Sequence, residues 1–576
     1  MRITKVSIYN YRNLDNIEVW LNNKNNYIIG ENNLGKSNFL HLLTIVCNGK
    51  SFAEEDYNDT KSKIEIDFQI KMNDYEIGYF DDNFDETDYH IINLKYSQSI
   101  SDSYPTLICT DTNDEISIRK IKKLNFYTYE STAIPAKELK FDSSKGLGIL
   151  VESIIHHYVE DRGEEFFNNK NIENLRSYIN ERFKKIQGFK LYGLEAAVDD
   201  EVSNMLKEIF YLSDGERNVD KAGAGVQYVA MASISVLSYI TKLFSSKTQS
   251  FDERLSTSDD GRKYLPIILA IDEPEVHLHP YLQRTLIRYY KKILANEDKE
   301  FLELLKYCFD IDGLEGQLII VTHSTDSLID DYRNIIRFYR NEGITKVVCG
   351  SNPNFTISKN DEKQLIMNFQ DMKEAFYAHV VILIEGETEY GCIPYFAEKM
   401  GISLDEYAIC IVNARGEGSI KRLSSLFDAF EIKNISIYDG DVINDETISD
   451  TDFFTIEPCF EFEIVKNLCN LGEYDTVKQI VQSLYSHAMT EMIDVEFIRK
   501  PYTKKLGLDI DAYEPKTLES IPDNDPEFYY LYSCWMYVKK GVLLGRIIGQ
   551  TLTETMIPIC YVNAIKKAKE VACNDK

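Results

Sequence analysis

Apolar residues alternate with polar ones at Val6 and Ile8, and again at Ile17, Val19 and Leu21. Tyr27-Ile28-Ile29 then runs into a glycine-bearing turn. Period-two spacing predicts two or three short strands over residues 1–30, with a helix opening at Lys36-Ser37-Asn38-Phe39-Leu40. Ile64, Ile66, Phe68 and Ile70 predict a half-buried strand. From Gly146 the spacing turns helical: Leu147, Ile149, Leu150, Ile154, Ile155 and Tyr158 mark one amphipathic helix. Ile172, Leu175, Ile179, Phe183 and Ile186 mark a second, so residues 147–209 are expected to be a helical insertion. Ile267–Ile271 ends in Asp272-Glu273, and Leu318–Val321 ends in Thr322-His323-Ser324. Together with Tyr27–Ile29 these runs predict a parallel sheet whose site lies at the strand carboxyl ends.

The stretch 345–375 is turn-rich around Gly350-Ser351-Asn352-Pro353-Asn354, and Val380–Ile384 opens a new strand–turn–helix unit. Ile409–Val412 and Ile435–Tyr438 follow as strands with helical text between them, which predicts a second α/β domain. Beyond residue 465 the chain reads as mostly helical. At 576 residues several domains are expected. The divisions read from the pattern are 1–146, 147–209, 210–350 and 375–576.

Composition narrows the class. With 44% hydrophobic and 27% charged residues the chain is globular. The most apolar stretch, Val226–Ile240, is broken by Gln227, Ser233, Ser235 and Ser238, so it predicts a buried helix and no membrane span. No secretory signal opens the sequence, and 11 cysteines without a CxxC pair suit reduced thiols, so a cytoplasmic location is expected. A net charge of −29 argues against a surface that binds nucleic acid all over, but it leaves room for a local basic track. Arg499, Lys500, Lys504 and Lys505 form such a cluster, and a solvated loop explains them equally well.

Gly30-Glu31-Asn32-Asn33-Leu34-Gly35-Lys36-Ser37 is a complete P-loop between strand and helix. Its glycines permit a tight turn whose amides surround phosphates, with Gly30, Asn33 and Gly35 shaping the cradle. Lys36 would reach the β- and γ-phosphates of ATP, and Ser37 would hold Mg²⁺. Asp272 closes an apolar strand, where it would join the Mg²⁺ shell, and Glu273 would polarise the attacking water. His323, at the next strand end, could contact the γ-phosphate. His277 and His279 could pair on a metal, although helix capping or a dimer contact suits their context better.

These motifs resemble those of ABC-type ATPases of the SMC/RecF group, which complete their site by dimerising through a partner's glycine-rich signature. Two segments here compete for that role, Gly223-Ala224-Gly225-Val226-Gln227 and Leu212-Ser213-Asp214-Gly215-Glu216. Gln69 is a weak option for the Q-loop glutamine.

About 350 residues after the P-loop, Glu385 ends a strand and Glu389 follows one helical turn later. Asp439 and Asp441 sit two apart at another strand end, so both can share one face. Crowded carboxylates repel and call for cations, and hard oxygen donors suit Mg²⁺ or Mn²⁺. Two such ions can stabilise the attacking and leaving oxygens of a phosphodiester. The two acidic motifs at strand ends, with Asn413-Ala414-Arg415-Gly416-Glu417-Gly418 between them, resemble the Toprim fold.

An ABC-type ATPase head with a helical dimerisation insertion, followed by a Toprim α/β domain and helical C-terminal elements, resembles the OLD (overcoming lysogenization defect) nucleases. Relatives of that kind include the nuclease subunit of Gabija-type anti-phage systems and OLD-like effectors of retrons. The resemblance implies an ATP-regulated, divalent-metal-dependent DNA endonuclease that works as a homodimer or higher homo-oligomer. One metal ion would accompany ATP and two would occupy the Toprim site. A defence partner, either a helicase or a reverse transcriptase with structured RNA or DNA, is also implied. It further implies an acidic ligand after Asp-x-Asp, for which Glu461 fits better than Glu457. A late lysine would steady developing charge; Lys540 fits that place, with Lys539 its close competitor. Asp439, Asp441 and Glu385 would hold one ion, with Glu389 and Glu461 helping to hold the second. The rival readings are an ATP-dependent DNA-binding or repair clamp with a structural Toprim domain, and a topoisomerase- or primase-like enzyme.

Overall fold

Strands apolar on both faces belong inside a parallel sheet, whereas strands that alternate cover a core on one face only. The structure is a computed structural model. It describes the chain except residues 82, 86, 131–137, 142–145, 149, 152–153, 155–168, 199–209, 214, 216–217, 220–221, 247–249, 277, 356, 443–448, 508–512 and 575–576. The chain forms two units, Met1–Tyr339 with Thr345–Pro353, and Arg340–Ile344 with Asn354–Lys576.

In the first unit the three apolar runs are neighbours. Gly313–Val321, buried at every residue, lies between Lys263–Asp272 and Asn25–Gly30, parallel to both. Ile335–Asn341 continues the sheet beyond Asn25–Gly30, and Phe126–Glu130 pairs parallel with Lys263–Asp272. With Ser256–Thr257 and Ile344–Cys349 the sheet has seven strands. Its register sets Asp272 beside Val321 and Val321 beside Ile28, so the P-loop, Asp272 and His323 emerge from one edge. The alternating strands Ile17–Trp20, Arg2–Tyr9, Ile64–Lys71, Ile91–Gln98 and Thr106–Cys109 form a separate antiparallel sheet in that order. Its inner face joins Phe39, Leu42 and Leu43 of the helix Lys36–Cys47 in one apolar core.

Among the described residues of 147–209 the chain is helical only in part. Helices Asn169–Phe183 and Gln187–Tyr192 are followed by Glu195–Val198, which pairs antiparallel with Phe210–Ser213. Asn180 binds this strand through both ends of its amide, at 3.0 Å to the Ala196 carbonyl and 2.6 Å from the Ala196 amide. A four-residue strand is too short to announce itself by alternation. Ile149, Ile155 and Tyr158 of the first expected helix lie outside the described residues.

Ala224–Phe244 is the one helix among the described residues long and apolar enough to cross a bilayer, and 67% of its apolar window is buried within the protein. Its serines turn inward with their hydroxyls satisfied. Ser233 donates to the Val229 carbonyl at 2.7 Å, Ser235 to Ala232 at 2.7 Å and Ser238 to Gly146 at 2.9 Å.

The second unit is built on a four-stranded parallel sheet in the order Ile409–Asn413, Val380–Ile384, Lys433–Tyr438, Asp452–Phe454. The last strand, Asp452-Phe453-Phe454, is too short to show a pattern in the sequence; it is held by its register against Ser436–Tyr438. Chain order leaves Val380–Ile384 in one direction toward Ile409–Asn413 and returns on its other side. This makes the carboxyl ends of Val380–Ile384 and Lys433–Tyr438 a switch point, where such sheets open a crevice. Helices Glu387–Lys399 and Val542–Thr551 cross so closely that a Cβ on Gly545 would lie 1.9 Å from the Thr388 carbonyl oxygen. On Gly391 it would lie 2.3 Å from the Val542 oxygen, so glycine is needed on both faces. Helices Phe460–Leu471, Pro526–Val538 and Ile559–Asn574 complete a core around the fully buried Trp535, Tyr532 and Tyr561.

Candidate active site

In the first unit the P-loop wraps through left-handed backbone at Gly30 (φ 137°), Asn33 (φ 63°) and Gly35 (φ 94°). A Cβ on Gly30 would fall 2.2 Å from the Phe338 carbonyl oxygen, which excludes any other residue there. Lys36 is buried, and its Nζ donates to the Gly30 carbonyl at 2.9 Å and also to that of Glu31. Burial pulls its pKa down to about 8, against the pull of Glu273 and Asp272. Ser37 is exposed at the start of the following helix.

Asp272 ends its strand, and Glu273 turns out of it with φ 50° while its amide donates to Val321 at 2.9 Å. This left-handed turn leaves Glu273 Oε1 3.7 Å from His323 Nε2. Glu275, which the sequence reading passed over, ties the two strand ends together. Its carboxylate accepts the His323 amide at 2.5 Å and the Thr322 hydroxyl at 2.8 Å. Burial, with Lys36 nearby, keeps His323 below its ordinary pKa despite Glu273.

The competing signatures differ. Gly223 starts the helix Ala224–Phe244, and Gln227 donates to the carbonyls of Val219 and Ala222 at 3.0 Å each. Asp214 and Glu216 of the other segment lie outside the described residues, as does His277. His279 caps the helix Pro280–Leu294, its ring accepting the Tyr281 amide at 3.4 Å. Gln69 has its amide engaged by Thr4 at 2.8 Å and Asn93 at 3.0 Å.

In the second unit a cavity of about 610 Å³ opens at the switch point. Glu385, Glu389, Asp439, Asp441, Glu461 and Lys540 all line it, together with Thr388, Lys504 and Lys505. Glu385 Oε1 accepts the Asp439 amide at 2.9 Å, which locks one strand end to the other. Gly440, between the aspartates, has room for no Cβ, because Thr455 and Glu457 carbonyl oxygens lie 2.6 Å from where it would be.

Glu389 caps its own helix, accepting the amides of Glu385 at 3.2 Å and Gly386 at 3.0 Å, and takes the Tyr561 hydroxyl at 2.9 Å. Burial, reinforced by Asp439, pushes its pKa well above the carboxylate range. Burial also raises Asp439, outweighing Lys505. Glu461 is buried and raised for the same reason, although the Thr388 hydroxyl binds its Oε1 at 2.8 Å. Glu457, its competitor, faces Tyr529 instead and is absent from the cavity wall. Lys540 Nζ sits 4.6 Å over the Tyr537 ring at the cavity, whereas Lys539 points to Glu491 at 3.8 Å and packs against Tyr485.

Three participants escaped the sequence reading. Thr388 lies inside the Glu385–Glu389 motif and so was within reach of it. Tyr561 is one of 38 tyrosines with no local mark. Lys505 belonged to the basic cluster read as a track or a solvated loop. Its ammonium instead bridges Asp439 Oδ2 and Asp441 Oδ2 at 2.9 Å each. Among the described residues no three acidic, imidazole or thiol groups converge tightly enough to hold a metal as they stand. The donors nevertheless fit Mg²⁺ or Mn²⁺ in kind, being hard carboxylate oxygens, three of them buried, around a point already held by a cation.

Residues 376–441 match the family described as "Overcoming lysogenization defect protein-like, TOPRIM domain". Residues 26–330, more than half the chain, match "AAA domain, putative AbiEii toxin, Type IV TA system". The chain is 23% identical over 431 residues to "Endonuclease GajA" of Bacillus cereus (strain VD045), spanning 68% of this chain and 66% of that protein. It is 23% identical over 509 residues to "Old nuclease" of Escherichia phage P2, spanning 77% and 78% respectively. The solved "C-terminal region of the Burkholderia pseudomallei OLD protein" aligns at 16% identity over 34% of this chain and 99% of its own, with a TM-score of 0.23.

Fold and site together define an AAA-type ATPase domain followed by a Toprim domain. The P-loop lies in the first unit and the carboxylate cavity in the second. The chain belongs to the AAA-domain family so described, its residues 376–441 match the OLD-like Toprim family, and it is similar to the GajA and Old nucleases.

Proposed function

We propose that the chain is an ATP-governed, divalent-metal-dependent DNA endonuclease that acts in anti-phage defence. The observation that carries the chemistry is the gathering of Glu385, Glu389, Asp439, Asp441 and Glu461 on one cavity, with Lys540 on its wall. Buried carboxylates of this kind are stable as anions only beside cations.

Asp439, Asp441 and Glu385 would hold one divalent ion, and Glu389 with Glu461 would help to hold a second. Such ions lower the pKa of a bound water and neutralise phosphodiester oxygens. Around them Lys540 offsets charge on the scissile phosphate or leaving oxygen. Glu385 keeps the two strand ends in register through the Asp439 amide. Tyr561 orients Glu389, and Thr388 orients Glu461.

In the head, Gly30, Asn33, Gly35 and Lys36 would cradle ATP phosphates, while Ser37 and Asp272 would hold its Mg²⁺. Glu273 and His323 would then act at the γ-phosphate, and nucleotide state in dimerised heads would govern the Toprim site. The endonuclease reading is supported by the names of the relatives, the defence reading by the resemblance to OLD and Gabija-type nucleases alone, and a cytoplasmic setting by the free cysteines. A helicase, or a reverse transcriptase with structured nucleic acid, is the class of accessory partner this reading admits.

The test is cleavage of supercoiled and linear duplex DNA with Mg²⁺ or Mn²⁺, with and without ATP, beside Asp439→Ala/Asp441→Ala. Metal-dependent cutting lost in the variant supports the proposal, and the ATP lanes give the sign of control. DNA binding without cutting under either metal, with or without defence partners, would favour the clamp.

A further inference from the structure

Lys505 stands in a run of basic residues, yet it behaves unlike its neighbours. Arg499, Lys500 and Lys504 are exposed, whereas the Lys505 side chain keeps only 12% of its surface. An ammonium has three donors, and all three are used. They reach Asp439 Oδ2 at 2.9 Å, Asp441 Oδ2 at 2.9 Å and the Pro458 carbonyl at 3.3 Å. The residue is delivered by one π-helical turn, Tyr502–Leu506, which follows the helix Val495–Pro501 and ends at Gly507 with φ 63°. Single π turns shift a side chain off the α-helical path and recur at functional sites. The helix ahead of it is anchored by the buried Ile498 and capped by Asp494, so the turn is held at its base.

Two aspartates two residues apart repel each other unless a cation lies between them. The oxygens that Lys505 occupies are the ones a divalent ion would need on the same pair. An ammonium and a divalent ion cannot both sit in contact with the same Oδ2 atoms without strong mutual repulsion.

We infer that Lys505 is an internal counter-ion of the Asp439–Asp441 pair, which a divalent cation must displace to load the Toprim site. It keeps the aspartates together while no metal is bound, and it raises the metal concentration at which the site fills. Lys505 is thus a positioning residue that sets the metal requirement of the enzyme. This inference rests on the metal-nuclease reading of the same cavity.

The test measures Mn²⁺ binding to the full chain without nucleotide, from the electron paramagnetic resonance signal of free Mn²⁺. Wild type is compared with Lys505→Met, Lys505→Arg and Lys500→Met, with Asp439→Asn/Asp441→Asn as the reference for a lost site. Lys505→Met should bind Mn²⁺ about tenfold more tightly, since one unit of competing charge leaves the seat. Lys505→Arg should stay near wild type, and so should Lys500→Met, since Lys500 is exposed and outside the cavity wall. In chelator the unfolding midpoint of Lys505→Met should fall below wild type, and Mn²⁺ should raise it by more. Lys505→Gln replaces Lys505→Met if the latter fails to fold. A folded Lys505→Met that binds Mn²⁺ no more tightly than wild type overturns the counter-ion role and leaves the nuclease reading intact. If neither wild type nor Lys505→Met binds more Mn²⁺ than the double-asparagine reference, both readings fall together.

Discussion

The hydroxyl of Thr388 donates to Glu461 Oε1 at 2.8 Å, and its oxygen accepts the Gly541 amide at 3.1 Å. One buried side chain thereby joins an acidic member of the site to the turn that carries Lys540. Thr388→Val keeps the volume and leaves Glu461 and the Gly541 amide short of a partner. DNA cleavage should drop about 10- to 100-fold, the range for losing such a supporting hydrogen bond at a metal site. The Mn²⁺ concentration for half-maximal cleavage should rise with it. Thr388→Ser should recover most of both. An unaltered metal dependence in Thr388→Val would remove the positioning role.

The glycine crossing makes a second prediction. At Gly545 a methyl group would meet the Thr388 backbone at 1.9 Å, so the helices must part. Gly545→Ala should cost about 1–3 kcal/mol, as overpacking does, and should lower cleavage further by moving Thr388. Gly418, in the helix Glu417–Ala429, has nothing within 4 Å of its Cβ position. Gly418→Ala should therefore be neutral or stabilise the chain by up to about 1 kcal/mol. Thermal and denaturant unfolding of both variants measure the contrast.

Adjacent lysines should separate cleanly. Lys540 lines the cavity, while Lys539 lies against Glu491, Tyr485 and Phe497. Lys540→Ala should reduce the cleavage rate by about 100-fold or more, the scale for removing a charge-stabilising group. Lys539→Ala should change it about threefold at most, since exposed pairs contribute little. The same assay should find Glu461→Gln severe and Glu457→Gln mild. Equal effects within either pair would contradict the placement.

Lys36 offers a test in protons. Its folded pKa lies near 8, below the ordinary lysine value, because burial disfavours the ammonium. Triphosphate beside it would favour the charged form and raise that pKa. Near pH 8 the free enzyme is partly deprotonated and the complex protonated, so ATP binding should take up about half a proton. Calorimetry in buffers of different ionisation enthalpy reads this number, which should shrink toward zero near pH 6.5 for this group. Proton release near pH 8 would show that Lys36 does not face the phosphates.

Much of the site was written locally. The P-loop glycines, Asp272 and Glu273, and the paired acids Glu385/Glu389 and Asp439/Asp441 each sit where an apolar strand stops. Strand ends are legible because burial imposes period and run length on neighbouring residues. The parallel order of the first sheet also followed from its doubly apolar strands. Short elements were less visible. Glu195–Val198 and Asp452–Phe454 are strands because of the partners they meet, and four or three residues hold too little pattern to predict that.

Tertiary structure alone decided which distant groups complete the carboxylate cavity. Lys505 is 64 residues from Asp441, and Tyr561 is 172 residues from Glu389. No local spacing relates either pair. By itself the sequence determined the longer elements, the two acid motifs and the P-loop, because each depends on residues a few positions apart. The family resemblance already favoured Lys540 over Lys539 and Glu461 over Glu457, but the place of Lys505 as the cation between the aspartates depended on how the C-terminal helices pack on the sheet. That packing is set by distant contacts such as the Gly391–Gly545 crossing, which only the folded chain brings together.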